Sequence, residues 1–440
     1  MNVCTIRSGE TRQDPRPFVA LYVHVPFCRA RCAYCDFNTY AGLEDLIPAY
    51  VTGLRREIRA AGEHWGSLRI STIYVGGGTP SLLSLNLLAD IMDVVQAEFD
   101  LSECVETTLE ANPGSVPESY LSGLRSLGVD RLSLGVQSAD DDELQMLGRI
   151  HGWSDAVRAV GYARRARIEN VSLDLLFGLP GQSLAAWERT LRSALSLGPD
   201  HLSLYGLTVE KGTPLARRIE SQELPIPDED RAAAMYELAE EMLAKAGFFH
   251  YEISNWARLE HRFQTEDCRW WPGGSVLDPE SDASEALSPF VCRHNLTYWR
   301  NNPWLGVGAG AYSWMPTSLL DDISRAPGGS VTGKRCANVD HPAEYAALAT
   351  EASYPDDWRK DIEKIDPQLE MGESMMLGLR LAEGVTANRF EDRFRVPLTD
   401  VFGRELLALR ELGLVTWDGA VARLTTRGRL LGNYVFERFI

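Results

Sequence analysis

The chain has 440 residues, of which 45% are hydrophobic, and its 62 acidic against 44 basic side chains give a formal charge of −18. At roughly 150 residues per domain, this length predicts two or three domains with a large buried core. The acidic excess argues against nucleic acid as a partner.

The chain shows no sequence feature of a secreted or membrane-spanning protein. Its first residues contain no apolar stretch of signal-peptide length. Nowhere does an uninterrupted apolar run approach the ~18 residues of a spanning helix. A cytoplasmic location is therefore expected.

Between residues 18 and 207, short β-rich runs alternate with longer segments of helical period. The predicted strands are 18–25, 70–75, 106–111, 131–137, 171–177 and 201–207. Parallel strands need crossover connections, which are usually helices, so six such units predict an α/β fold with a parallel sheet. Chemically unusual residues follow each strand at its carboxyl end. A single rim of that kind favours a partial (β/α)6 TIM-type barrel over a doubly wound sheet.

The remaining sequence divides by composition. The predicted parts are an N-terminal tail (1–17), the barrel (18–255), an accessory segment (256–353) and a C-terminal module (354–440). Residues 264–290 are rich in proline, glycine, serine and acidic residues, which is typical of a long surface loop. In the last part, helical segments precede a short hairpin and a final helix. That order predicts an α-helical, winged-helix-like module.

Three cysteines lie within eight residues, directly after the first predicted strand: Cys28, Cys32 and Cys35. Thiolates suit zinc or iron–sulfur clusters. A structural zinc site is closed by four ligands, but this loop has no fourth cysteine. The spacing therefore favours a [4Fe–4S] cluster with one open iron over a zinc site completed by His24 or Asp36.

Further polar and glycine positions follow the next strands. Gly76, Gly77 and Gly78, followed by Thr79, come directly after the second strand, where backbone N–H groups can approach an anionic ligand and a side chain would intrude. A tight turn without a ligand has the same pattern. Buried polar side chains persist only with partners, either a polar ligand or a structural salt bridge. Those on or after the third to fifth strands are Glu110, Gln137, Arg149 and Asp174.

The C-x3-C-x2-C spacing, with Tyr34 before the last cysteine, resembles the radical S-adenosylmethionine (SAM) superfamily. The resemblance implies that SAM chelates the open iron through its amino and carboxylate groups. One electron then cleaves it to methionine and a 5′-deoxyadenosyl radical. By this resemblance, Cys28, Cys32 and Cys35 would be the ligands of the cluster. The residues that would contact SAM, by the same resemblance, are Tyr22, Gly77, Gly78, Thr79, Glu110, Gln137, Arg149 and Asp174.

Longer segments, among them YVHVPFC, YVGGGTPSLL, RLSLGVQS and DLLFGLPGQS, narrow the resemblance to the oxygen-independent coproporphyrinogen III oxidase group. It runs from about residue 18 to the C-terminus. Oxidases of this group carry a cysteine two positions after the third cluster cysteine, where this chain has Phe37. The run HNLTYW (294–299) resembles the HNxxYW signature of the group's heme-chaperone branch, HemW. Both features favour that branch.

The resemblance implies a protein that binds heme and delivers it to membrane-bound respiratory proteins, meeting them at the membrane surface. An electron donor would reduce the cluster. Histidine can ligate heme iron and aromatic rings can stack on a porphyrin, although a hydrogen-bonded structural histidine fits the same run. The candidate heme-binding residues are His294, Asn295, Tyr298 and Trp299.

Two alternatives remain open from the sequence. The first is the oxidase reaction, in which the deoxyadenosyl radical abstracts a propionate β-hydrogen and coproporphyrinogen III is oxidatively decarboxylated. No catalytic residue can be assigned from the sequence. The second alternative is a further metal site formed by Cys268, Cys292 and His294.

Overall fold

The computed structural model describes residues 18–66, 68–259, 288–319, 331–349 and 352–440. The predicted tail 1–17, residues 264–287 of the predicted loop, and Cys268 lie outside these ranges. Within the ranges, no helix combines the length and apolar character that crossing a bilayer requires.

The six strands predicted from the sequence all form, and they pair in parallel in chain order. They are β1 (Phe18–Val25), β2 (Arg69–Gly77), β3 (Glu106–Ala111), β4 (Arg131–Gln137), β5 (Asn170–Phe177) and β6 (His201–Gly206). The α/β prediction is therefore confirmed. The helices of this part are α1 (Ile47–Trp65), α2 (Leu85–Glu98), α3 (Glu118–Ser126), α4 (Asp141–Met146), α5 (Trp153–Arg165), α6 (Leu184–Ser196), α7 (Pro214–Glu220) and α8 (Glu229–Lys245).

Further strands extend this sheet at both edges, so the sheet is larger than predicted. They are β7 (Phe248–Glu252), β8 (Asn255–Arg258), β9 (Trp304–Val307), β10 (Tyr312–Pro316), β11 (Gly333–Asn338) and β12 (Arg359–Ile365). The order is β12-β11-β10-β9-β1-β2-β3-β4-β5-β6-β8-β7. β9 runs parallel to β1, whereas β8 is antiparallel to β6. The same segment contains helices α9 (Arg293–Trp299) and α10 (Pro342–Leu348).

The two faces of the parallel strands differ in chemistry. Successive side chains of a strand point to opposite faces. Ile73 and Leu132 belong to the main hydrophobic core, whereas Tyr74, Ser133 and Asp174 line a cavity on the other face. Most TIM barrels fill the interior with branched aliphatic side chains. Here a polar interior leaves room for a ligand.

The C-terminal residues form a module with a hydrophobic core of its own, which includes Met375, Leu406, Trp417 and Phe436. Its helices are α11 (Pro367–Gly378), α12 (Ala387–Phe394), α13 (Leu398–Glu411), α14 (Thr426–Leu430) and α15 (Gly432–Phe436). Its strands are β13 (Val385–Thr386), β14 (Val415–Trp417) and β15 (Val421–Leu424), which form a small antiparallel sheet. The observed order of helices, hairpin and final helices agrees with the winged-helix-like prediction.

Candidate functional site

The inner faces of the parallel strands and the loops that follow them enclose a cavity of about 450 Å³. This volume is in the range of pockets that hold one cofactor-sized ligand. The predicted site residues that line it are Cys28, Cys32, Cys35, Gly77, Gly78, Thr79, Glu110, Gln137, Arg149, Asp174 and Asn295. The others, Tyr22, His294, Tyr298 and Trp299, are not among its lining residues.

The three cysteines of the loop after β1 are free and partly exposed. The Thr79 hydroxyl donates a hydrogen bond to Cys28 Sγ at 3.5 Å, and Arg149 Nη1 donates to Cys32 Sγ at 3.2 Å. Burial raises the pKa of the Cys28 thiol; the Thr79 bond opposes this shift, and the negative charges of Cys35 and Cys32 add to it. The thiols therefore lie near one another and near donors that favour thiolates.

The loop supplies three cysteine thiols as possible metal ligands. In the described part of the chain, no three histidine, cysteine, aspartate or glutamate side chains converge on one metal position. The three thiolates of a cubane cluster each bind a different iron, so their sulfurs lie farther apart than the ligands of one zinc ion. Three cysteines are the number of protein ligands that a [4Fe–4S] cluster with one open iron requires, and their assignment to that cluster stays a prediction.

The glycine triplet packs against the cysteine loop. The N–H of Gly78 donates to the Val25 carbonyl at 2.8 Å. A Cβ on Gly78 would lie 2.7 Å from the Phe27 carbonyl oxygen. At Gly77, where φ is +117°, a Cβ would lie 2.5 Å from the His24 ring. A side chain at Gly77 would therefore first displace the His24 ring, and contact of the Gly77 backbone with SAM stays a prediction.

Two half-buried carboxyl groups face the cavity. Glu110 accepts hydrogen bonds from the Tyr74 hydroxyl at 2.8 Å and from the Gly77 N–H at 2.9 Å. Burial raises the pKa of Glu110 to about 7, and these two bonds oppose that shift. Asp174 accepts from the Ser133 hydroxyl at 2.9 Å, and burial raises its pKa as well. The two groups therefore place carboxyl oxygens on the wall of the cavity.

The end of β4 brings Gln137 and Arg149 to the same cavity. Gln137 has φ of +69°, and the pairing of β4 with β5 shifts register between Gly135 and Gln137. Arg149 Nη2 donates to the Gly135 carbonyl at 2.7 Å. Left-handed backbone at a residue other than glycine costs about 1 to 3 kcal/mol and is held by its surroundings. This strained position agrees with a functional site at the end of β4.

Helix α9 carries the HNxxYW run and lies beneath the cavity. Glu106, the first residue of β3, accepts the backbone N–H groups of Arg293 at 2.9 Å and His294 at 3.1 Å. A carboxylate at a helix N-terminus satisfies amides that the helix itself leaves unpaired. The role of Glu106 could not be predicted, because nothing in its local sequence reveals a partner far along the chain.

His294 is 1% exposed, and both of its ring nitrogens are engaged. Nδ1 lies 2.8 Å from the Thr72 hydroxyl, and Nε2 lies 2.9 Å from the Tyr298 hydroxyl. Burial lowers the pKa of His294 to about 3, so the ring is neutral. An axial bond to heme iron would require one of these hydrogen bonds to break. The geometry therefore does not support the prediction of His294 as a heme ligand.

The other predicted heme residues point to different surroundings. Asn295 faces the cavity. Trp299 packs under Arg380, whose guanidinium carbon lies 4.5 Å from the indole centroid. Tyr298 meets the His294 ring edge-on. Residues four apart on a helix share a face, so the run presents two faces rather than one open heme site.

Comparison with known proteins identifies the family. Residues 22–194 match the radical SAM superfamily, and residues 365–431 match the HemN C-terminal domain. The chain is 33% identical over 420 residues to the heme chaperone HemW of Bacillus subtilis, covering 95% of this chain and 98% of the relative. The chain belongs to the HemW family of radical SAM proteins. Mouse radical S-adenosyl methionine domain-containing protein 1, mitochondrial, is 36% identical over 427 residues, covering 93% of this chain and 84% of the mouse protein.

The HemW-family chain shares its fold with a solved oxidase structure. Coproporphyrinogen III oxidase (HemN) of Escherichia coli superposes with a TM-score of 0.76 at 21% identity, covering 97% of this chain and 91% of that chain. At this identity the similarity establishes the fold. Membership of the radical SAM superfamily implies a [4Fe–4S] cluster and SAM as cofactors.

We expect Gly77→Ala to lower both thermal stability and the iron content after cluster reconstitution. The new Cβ would displace His24, whose Nε2 lies 3.0 Å from the Asn38 carbonyl oxygen in the cysteine loop. Gly128→Ala is the control, because Gly128 has φ of +91° but no atom within 4 Å of the added Cβ. It carries the backbone strain alone. Equal iron content in the two variants would show that the loop does not need this contact.

We expect the affinity for SAM to rise between pH 6 and pH 8. Glu110, with a pKa near 7, gains its negative charge in that interval and then attracts the cationic ligand. If only the ionised form binds well, the gain is about tenfold. Isothermal titration should show this rise in wild type and in the exposed-site control Glu118→Gln. Glu110→Gln should bind weakly at both pH values, and a retained rise would contradict the assignment.

Proposed function

We propose that this chain is a heme chaperone that carries its cluster on Cys28, Cys32 and Cys35 and binds SAM in the adjoining cavity. The observation that carries the proposal is the meeting of three free thiols and two half-buried carboxyl groups at one cavity. Similarity to curated heme chaperones over nearly the whole of both chains supports the heme-related role.

The proposed SAM contacts follow from the chemistry of the lining. Glu110 and Asp174 supply negative charge for a sulfonium and an ammonium group, and Gln137 supplies a neutral amide. The Gly77–Gly78–Thr79 turn and Arg149 lie at the cysteine end of the cavity. Tyr22 has a positioning role in this proposal, because its hydroxyl lies 2.9 Å from His24 Nδ1. When bound, the cluster and SAM supply the means for one-electron cleavage of a carbon–sulfur bond.

The chain's own residues would control the cluster thiolates. The Arg149 guanidinium donates to Cys32 and the Thr79 hydroxyl to Cys28. Hydrogen bonds to cluster sulfurs raise the reduction potential by stabilising added negative charge. We propose that these two donors set the potential at which an external electron donor reduces the cluster.

Heme would enter the same cavity from its edge, which has apolar surface, at a stage when SAM does not fill it. Phe37 is 67% exposed and Tyr205 is 42% exposed, and both line the cavity. Exposed aromatic faces suit a porphyrin ring. From this position the chain would pass heme to respiratory acceptor proteins at the membrane surface. Helix α9, with His294 and Tyr298 buried in hydrogen bonds, would form the floor on which the cavity rests.

The decisive experiment supplies anaerobically reconstituted protein with SAM and a reductant, in parallel with heme and with coproporphyrinogen III. Stable, stoichiometric heme binding without porphyrinogen conversion supports the chaperone. Conversion of coproporphyrinogen III would establish the oxidase alternative instead. Cys35→Ala, which removes a cluster thiolate, and Cys104→Ala, which removes a partly buried cysteine away from the loop, separate cluster-dependent behaviour from general effects.

We expect His294→Ala to lower stability by about 2 kcal/mol while leaving the absorption spectrum of bound heme unchanged. The loss leaves the Thr72 and Tyr298 hydroxyls without their partner. Thermal melting and heme titration measure the two effects separately, with the exposed His64→Ala as control. A changed heme spectrum would mean that His294 leaves its hydrogen bonds and ligates the iron.

A further inference from the structure

An arginine whose side chain has no hydrogen-bond or ion-pair partner among the described residues lies at the floor of the cavity. Arg131, the first residue of β4, is 2% exposed and lines the cavity. Its Nε has no hydrogen-bond partner, and within the described ranges no carboxylate lies at ion-pair distance from the guanidinium. A buried charge without a partner is costly. Such an arginine is therefore suited to pair with a ligand.

The nearby carboxylates are already engaged elsewhere. Glu106 accepts the first backbone N–H groups of α9. Glu110 accepts the Tyr74 hydroxyl, and Asp174 accepts serine hydroxyls. All three are close enough to influence the guanidinium electrostatically, so Arg131 stays charged. Its donor groups, however, are left for the cavity.

The floor is distinct from the cysteine end. Arg131 and Gln137 are the first and last residues of β4, and both line the cavity. At about 3.3 Å per residue, their Cα atoms are roughly 20 Å apart. Asn295 also lines the cavity, from the helix whose first N–H groups are held by Glu106 at the start of β3. A ligand group at Arg131 would therefore lie away from the three cysteines.

We propose that Arg131, together with Asn295, binds a carboxylate at the floor of the cavity. The planar guanidinium presents two parallel N–H groups that match a carboxylate and form charge-assisted hydrogen bonds. The carboxylate belongs either to a small free acid or to an acid arm of a larger ligand, such as a heme propionate. The second source rests on the proposed heme function.

The first test compares hemin with hemin dimethyl ester, which keeps the macrocycle and removes both acid groups. Titrations use the full, cluster-reconstituted chain. We expect wild type to bind hemin about tenfold more tightly than the ester, since hydrogen bonds to a charged group contribute about 1.5 kcal/mol or more. This comparison needs no variant.

The variants then test the residue. Arg131→Gln should remove the preference for hemin, and Arg131→Lys should keep part of it. Arg125→Gln, at an exposed arginine on α3, should keep all of it.

The second test uses propionate as the probe for a small free acid. We expect saturable binding of ¹³C-labelled propionate, followed by NMR, in wild type and Arg125→Gln but not in Arg131→Gln. Thermal melting confirms that the variants are folded. If neither hemin nor its ester binds wild type, the proposed heme function fails while propionate binding still supports the carboxylate site. If wild type shows neither a hemin preference nor propionate binding, or if Arg131→Gln retains either one, the carboxylate site is overturned.

Discussion

Charged side chains buried inside a parallel sheet impose the main physical constraint on this molecule. Removing a carboxylate or guanidinium from water costs several kcal/mol unless hydrogen bonds replace the lost hydration. The interior of the barrel-like sheet contains Glu106, Glu110, Arg131 and Asp174. Three of them have several hydrogen-bond donors from neighbouring elements. Many of the groups around the cavity therefore serve as hydrogen-bond donors to these carboxylates.

This constraint connects elements far apart in sequence. The Glu106 carboxylate holds the start of α9, and the Glu110 carboxylate holds the turn after β2 through Gly77. The glycine turn in turn packs against the cysteine loop. One end of the cavity is thus coupled to the HNxxYW helix and the other to the thiols. A change in the charge of Glu110 would therefore act on the glycine turn and, through it, on the cysteine end of the cavity.

The strands of the barrel were predictable because each run of β-branched and aromatic residues ends at a loop of distinctive composition. The flanking strands were not. Trp304–Val307 is only four residues long, and Arg359–Ile365 is so rich in charge that its sequence resembles a polar loop. Charged residues on an outermost strand protect its unpaired edge, so the same feature that hides the strand also suits its position.

The residues of the site also fall into two groups, those that the sequence predicted and those that it did not. The cysteine spacing and the polar residues at the carboxyl ends of strands predicted the groups that line the cavity. Glu106 and Arg131 were missed because both begin their strands, at the end of a barrel usually associated with stability. The sequence around His294 gives no sign of its hydrogen bond to Thr72, which lies 222 residues away in the chain. Hydrogen-bond partners of this kind can be found only in three dimensions.

The parallel pairing of β9 with β1 also bears on synthesis of the chain. β1 emerges from the ribosome first, yet its partner at Trp304 follows about 280 residues later. Until then one edge of β1 is open to other chains, and the closure of so long a loop slows folding. An early strand with an unfilled edge is the kind of segment that molecular chaperones protect. Nascent forms ending before β9 should therefore be more prone to aggregation than those ending after it.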